Sequence, residues 1–268
     1  MGLLLAIAPA GASVCAGDAI PSRPEYRLLE LGGRAVRWTL PQAGLPPVIR
    51  YAFLTKPAAF PGARNCDVML PPEAALVPSR IGSADFRREV RAAFSTWESV
   101  ANIKFEETSV IADAGILIGA DAKARGRAFT NVALKDAAPG AAVPAVGAIR
   151  QSLICLNPHR PWKIGFDGNL DVYDVRFTVA HEIGHAIGLD HPSPAGQLMS
   201  FRYDEGSHDL QPGDIAGAVA LYGTRGAPPL PDSGVRAASA GGSAAPPAGR
   251  AGAPAFGLGE PPGASKTH

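Results

Sequence analysis

Residues 179–190 read VAHEIGHAIGLD and are followed by His191. His181 and His185 are four apart, so on a helix they project from one face and can hold one metal through two imidazoles. Glu182 stands off that stripe, where a carboxylate reaches water held at the metal and can take its proton. Gly188 tolerates the left-handed backbone that ends a helix, letting the chain turn so that His191 returns to the same ion. Three neutral nitrogens plus one water make an open tetrahedral site suited to Zn2+. Six histidines occur in 268 residues, so three of them with a Glu and a Gly at these offsets arise by chance on the order of 10⁻⁵ per chain. That sets aside unrelated core or surface histidines. A closed structural metal site has no use for the glutamate.

Upstream, VIRYAFLT (Val48–Thr55) is β-branched and aromatic and reads as a strand between Pro46-Pro47 and Pro57. In residues 86–100, Phe86, Val90, Ala93, Phe94, Trp97 and Val100 recur at helical spacing, predicting an amphipathic helix capped by Ser83 or Asp85. IKFEE, GILIGA (Gly115–Ala120), RAFTNVAL and AIRQSLICLN read as further strands, and a second helical region follows Asp171. Strands with one long helix inserted and helices after them predict an α+β fold, a sheet layered on helices.

Hydrophobic residues make up 46% of the chain, and 25 basic against 24 acidic residues leave a formal charge of +1. That balance offers no electrostatic footprint for nucleic acid or an anionic membrane. No apolar run reaches the ~18 residues of a spanning helix. Residues 1–16, MGLLLAIAPAGASVCA, have the apolar core and small-x-small end of a short export signal, without a leading Lys or Arg; a misassigned start or an apolar strand is the alternative. Residues 17–47 read as an N-terminal extension, 48–223 as the main domain, and 224–268, dominated by Gly, Pro, Ala and Ser, as a disordered tail. With no heptad or symmetric surface pattern visible, a monomer is the default.

The spacing His181-Glu182-x-x-His185-x-x-Gly188-x-x-His191, followed by Met199 in QLMSFRY, resembles the metzincin zinc endopeptidases. Met199 is similar to their Met-turn methionine, which packs under the zinc without binding it. AFSTWESVANIKF, GILIGA and LQPGDIAGAVALYG further resemble the matrixin branch over Val48–Gly223. The resemblance implies the zincin-like fold: a twisted mixed sheet with an edge strand over the cleft, a long first helix, the active-site helix, the Met-turn and a C-terminal helix. It implies that Asp214 hydrogen-bonds the Met-turn backbone and that Tyr203 lines the specificity pocket. Phe177 falls at the base of that pocket, where it reads equally as a core aromatic. Arg127, Ala128 and Phe129, in RAFTNV, fall on the edge strand that pairs with extended polypeptide substrate.

Several positions depart from the family. Matrixins carry a second, structural zinc on histidines ahead of the active-site helix, but here no His precedes His159 and Phe129 stands at one ligand position; one zinc is expected. The PRCG-type latency motif is absent. Phe201 stands where the serralysin branch has a zinc-approaching tyrosine, which leaves serralysin as the second assignment. Cys66 and Cys155 form a disulfide if Cys15 leaves with an export signal; otherwise Cys66 caps the zinc, or both are free buried thiols. Asp167-Gly168-Asn169-x-Asp171 and Asp174 resemble the start of a Ca2+ loop without its distal glutamate, or an Asp-Gly turn with helix-capping acids. His159 and His208 read as solvated loop residues. The resulting expectation is an exported or periplasmic zinc endopeptidase with Glu182 as general base. A non-catalytic zinc-stabilised peptide-binding module and a hydrolase of small amides are the other classes.

Overall fold

The computed structural model describes residues 26–235, apart from 42–44, 137–141, 143, 193–195, 228–230 and 233. The expected export signal at 1–16 and most of the 224–268 tail lie outside the described residues. In chain order the strands are β1 (Arg27–Leu28), β2 (Glu30–Leu31), β3 (Arg34–Trp38), β4 (Val48–Phe53), β5 (Ala58–Ala59), β6 (Val68–Leu70), β7 (Lys104–Glu107), β8 (Ile116–Asp121), β9 (Ala128–Leu134), β10 (Gly147–Leu156), β11 (Trp162–Lys163), β12 (Tyr173–Asp174) and β13 (Leu189–Asp190). The helices are α1 (Glu73–Leu76), α2 (Ser83–Val100), α3 (Val175–Ala186) and α4 (Pro212–Tyr222).

The main sheet runs β2-β3-β10-β8-β4-β7. The long β10 pairs in parallel with β3 through its first half and with β8 through its second, while β9 runs antiparallel along it from Ile149 to Leu156. Among the described residues β9 pairs with β10 alone, so it is an edge strand. The α+β expectation holds, with a mixed sheet as the matrixin resemblance implies.

Helix α2 forms from the apolar stripe that its sequence spells, and buries Phe86, Val90, Phe94 and Trp97. Phe94 stacks on Tyr51 of β4 with ring centroids 4.1 Å apart and packs on Phe105 of β7 at 4.6 Å. Burying side chains of this size contributes about 1.5–3 kcal/mol each. The cap differs from expectation. Ser83 and Asp85 both lie within the first turn, behind Gly82 at the N-cap, because Ser83 Oγ donates to Glu73 Oε1 at 3.0 Å and Asp85 pairs with Arg88 at 2.6 Å.

Two expected boundaries also move. Residues before Val48 belong to the folded unit: β3 lies in the main sheet, β1 pairs with β13, and Leu29 and Val36 are fully buried. Beyond Gly223, Val235 is fully buried and Asp232 pairs with Arg37 at 2.5 Å. A buried arginine on β3, itself donating to the Leu221 carbonyl at 2.9 Å, draws this short segment back onto the domain.

Helix α3 is buried along nearly its whole length, between α2 and the sheet. Trp97 Nε1 donates to the Ala180 carbonyl at 2.8 Å, and Trp38 Nε1 and Ser152 Oγ both donate to the Ala186 carbonyl, at 3.0 and 3.1 Å. Gly184 permits this packing, since a Cβ there would collide with Met199 Sδ and press on Trp97. Overpacking of this kind costs about 1–3 kcal/mol. Gly184→Ala is therefore expected to lower the thermal midpoint by several degrees, measured by circular dichroism, while an alanine at exposed Ser99 leaves it within a degree.

Candidate metal centre and cleft

The side chain of Asp174 caps α3 by accepting from Phe177 N at 2.7 Å, which starts the helix at Val175, nearly two turns before His181. His181 and His185 then fall on one face. The helix ends where Gly188 adopts φ +109, a conformation that L side chains rarely take, and a Cβ there would also strike the Val36 carbonyl. The reversal carries His191 back to the other two. Their Nε2 atoms lie 3.1 Å (His181 to His191), 3.2 Å (His181 to His185) and 3.3 Å (His185 to His191) apart.

Those spacings test the fit to a metal. A tetrahedral zinc with nitrogens at 2.0–2.1 Å requires ligand pairs about 3.3–3.4 Å apart. The tautomers are set as well: His181 Nδ1 donates to the Leu198 carbonyl at 2.6 Å and His185 Nδ1 to the Leu189 carbonyl at 2.8 Å, leaving both Nε2 lone pairs for the ion. Burial disfavours protonation. It pushes His185 down to about 4 and holds His181 and His191 well below 6.5, where neighbouring imidazoles add to the effect and Arg127 adds further at His181. The residues fit zinc.

Met199 is buried against Gly184 of α3, and its turn is fixed by Asp214, which accepts from Leu198 N at 2.9 Å, Met199 N at 3.0 Å and Gln211 N at 2.8 Å. Phe201 packs edge-on to His191 with ring centroids 5.2 Å apart. Glu182 is fully buried, and its Oε2 accepts from Thr130 Oγ1 at 2.7 Å; the same hydroxyl lies 3.0 Å from the Glu182 carbonyl. Thr130 was not singled out in the sequence. The available signal was a polar residue on the buried side of β9, between Ala128 and Val132 in an alternating strand.

Edge strand β9 contains Ala128 and Phe129, while Arg127 immediately precedes it and is 7% exposed. Its guanidinium lies over the Tyr173 ring at 4.4 Å and 5.7 Å from the Tyr203 ring centre. Tyr203 is buried, accepts from Asp174 N at 2.9 Å, donates to Glu205 Oε1 at 2.8 Å, and meets Phe177 edge-on at 4.8 Å. Phe177 is a core side chain, 1% exposed.

Cys66 and Cys155 are joined in a disulfide, with Cα atoms 6.0 Å apart, which removes Cys66 as a zinc cap and both residues as free thiols. The cross-link is buried with Leu117 and Leu153, and Phe129 packs against that cluster. In the oxygen-rich segment, Asp174 is the helix cap and also accepts from Gly165 N at 2.7 Å. Lys163 Nζ pairs with Asp167, lies 2.5 Å from Glu205 Oε1 and donates to the Asn169 carbonyl at 2.9 Å. Burial alone would raise the Glu205 carboxyl, but Lys163, Tyr203 and the Gly168 N–H together hold it below its ordinary value. His208 stacks on Phe166 at 4.4 Å, and His159 N donates to Asn157 Oδ1 at 2.8 Å; neither joins the triad.

The matrixin family profile (Peptidase_M10) matches residues 75–223, more than half of the chain. The chain belongs to the matrixin family. It is 32% identical over 146 residues to Metalloendoproteinase 1-MMP of Arabidopsis thaliana, covering 53% of this chain and 39% of that protein. It is 30% identical over 145 residues to the Probable matrix metalloproteinase 095L of Invertebrate iridescent virus 3, covering 50% and 36%, and 29% identical over 156 residues to human Matrix metalloproteinase-19, covering 56% and 28%. The match thus spans less than half the length of these relatives. As a matrixin, the chain is assigned away from the serralysin branch.

The histidine shifts carry a pH dependence. An unfolded histidine protonates near 6.5, whereas the buried triad stays neutral to lower pH, so between those limits the unfolded chain binds more protons and stability falls as pH falls. Urea midpoints of the metal-free matrixin domain are expected to hold above about pH 6.5 and to drop steadily toward about pH 4. Replacing His185 with Gln should flatten that slope.

Proposed function

We propose that this matrixin is a zinc-dependent endopeptidase that cleaves extended polypeptide, acts as a monomer, and works outside the cytoplasm. The observation that carries the reading is the triangle of His181, His185 and His191 Nε2 atoms, 3.1–3.3 Å on a side, with the Glu182 carboxylate on the same helix. Zinc held there would supply Lewis acidity for the scissile carbonyl and make water acidic enough to lose a proton near neutrality.

The remaining work falls to the chain. Glu182 takes the proton of the attacking water and returns it to the leaving amine. Thr130 Oγ1 suits both states of that carboxyl group: it donates to the carboxylate and, once Glu182 is protonated, can accept from it while its own proton turns to the Glu182 carbonyl. The free edge of β9, at Arg127, Ala128 and Phe129, aligns the substrate main chain by strand addition. A substrate held as a strand is an extended polypeptide, which favours an endopeptidase over a hydrolase of small amides. The buried Cys66–Cys155 cross-link supports an oxidising compartment. Among the described residues no helix is long and apolar enough to cross a membrane.

We assign the calcium-like loop to Lys163, whose ammonium sits among Asp167, Asn169 and Glu205 in the manner of a bound cation. A calcium-selective chelator is expected to leave the thermal midpoint unchanged, whereas Lys163→Met should lower it by several degrees. A midpoint that falls on calcium removal from the wild type would contradict the assignment.

The activity itself is tested on the purified full chain by metal analysis and digestion of a denatured protein mixture. Wild type should carry one zinc and cleave; Glu182→Gln should carry the same zinc and lose about 10²–10⁴-fold in kcat, the usual cost of removing a general base. Zinc without cleavage by the wild type would shift the reading to a peptide-binding module.

A further inference from the structure

Arg127 stands out among the charged side chains near the centre. It is 7% exposed, and its Nε and Nη1 are sequestered from solvent without an acceptor among the described residues. Its contacts through the guanidinium are the faces of Tyr173 and Tyr203. The acidic groups on the elements around it are committed elsewhere: Asp174 to Phe177 N and Gly165 N, Glu205 to the Tyr203 hydroxyl, Lys163 and the Asp167 and Gly168 N–H groups. A guanidinium buried against aromatic rings keeps its charge, because arginine does not deprotonate in proteins. Removing such a cation from water is costly unless an anion with matching geometry meets it.

The location says which anion. Arg127 immediately precedes the free-edged strand β9, three residues before Thr130, whose hydroxyl holds Glu182. Tyr203, against which it lies, contacts Phe177 one turn ahead of His181. A substrate paired along β9 would run past this guanidinium, which stands one residue ahead of the strand that carries Thr130. We propose that Arg127 is a specificity determinant that receives a substrate carboxylate beside the cleaved bond, so that the enzyme prefers Asp or Glu, or a C-terminal carboxylate, at that subsite. The proposal rests on the peptidase reading above and deepens it. A paired charge of this kind is worth a factor of about 10–100 over a neutral isostere.

Peptides differing only as Glu or Gln on either side of one scissile bond separate the charge from size, and free against amidated C-termini separate a chain end from a side chain. For wild type, kcat/KM is expected to favour the carboxylate about 10–100-fold. Arg127→Met should bring that ratio to about one, and Arg127→Lys should keep part of it. A merely structural arginine would instead lower kcat/KM for every peptide by one factor and leave the ratio where it was. The same peptides are titrated onto zinc-loaded Glu182→Gln by calorimetry, which reports the carboxylate preference as a ratio of Kd values even if nothing is cleaved. No cleavage with the binding ratio intact would overturn the peptidase reading alone. A wild-type ratio near one in both assays, or one unchanged in Arg127→Met, would overturn the carboxylate subsite; if Arg127→Met does not fold, the wild type and Arg127→Lys still decide it.

Discussion

Three imidazole nitrogens held 3.1–3.3 Å apart, two of them on fully buried rings and the third on a half-buried one, constitute a demand that the surrounding chain must meet, because protonating them there is costly. Each device around them answers it. The Leu189 and Leu198 carbonyls take the Nδ1 protons, Asp174 fixes where α3 begins, and Gly188 fixes where it ends. Asp214 holds the turn that supplies both Leu198 and Met199. Gly184 lets the methionine sulfur lie against the helix at a distance no side chain would allow. Even β1 contributes, since its pairing with β13 steadies the segment between Gly188 and His191, with Arg27 and Asp190 at 2.9 Å.

Much of this was legible in the sequence because local spacing dictates it. The offsets within VAHEIGHAIGLDH place three ligands and a turn without reference to anything distant, and the stripe from Phe86 to Trp97 identifies α2 by periodicity alone. The edge strand and the Asp214 contact came from family resemblance. What stayed hidden depends on contacts far apart in sequence. Nothing local reveals that Thr130 meets Glu182, 52 residues on, or that Asp232 returns to Arg37, 195 residues away. The strands before Val48 were overlooked for the same reason: RAVRW is tied into the main sheet by pairing with Gly147–Ile149, more than 100 residues on. Cap assignment at Ser83 failed because its hydroxyl has a better partner in Glu73.

The polar residues of the cleft divide by whether the protein already satisfies them. Tyr203, Asp174 and Glu205 form a closed set, each bonded to the backbone or to another member, and such networks rigidify the wall they build. Arg127 touches that wall, among the described residues, through the faces of Tyr173 and Tyr203. Rigidity on one side and an unanswered charge on the other is how a subsite selects: the wall sets the shape, and the charge rewards one chemical class of side chain.

The positions where this chain departs from its family point to a common physical solution. Phe129 stands at a position where the matrixin resemblance places a histidine for a second zinc. It lies opposite Cys155 in the β9–β10 register and packs with the Cys66–Cys155 disulfide, so that region is held by a covalent bond and apolar contact. Ahead of α3, Lys163 brings a tethered ammonium to oxygens that elsewhere would invite a metal ion. An ion stabilises a fold only to the extent that it is present at concentrations above its dissociation constant. A disulfide and a lysine are part of the chain and carry no such condition. Among the described residues the histidine triad is the one cluster of three or more His, Cys, Asp or Glu side chains placed to hold a metal ion.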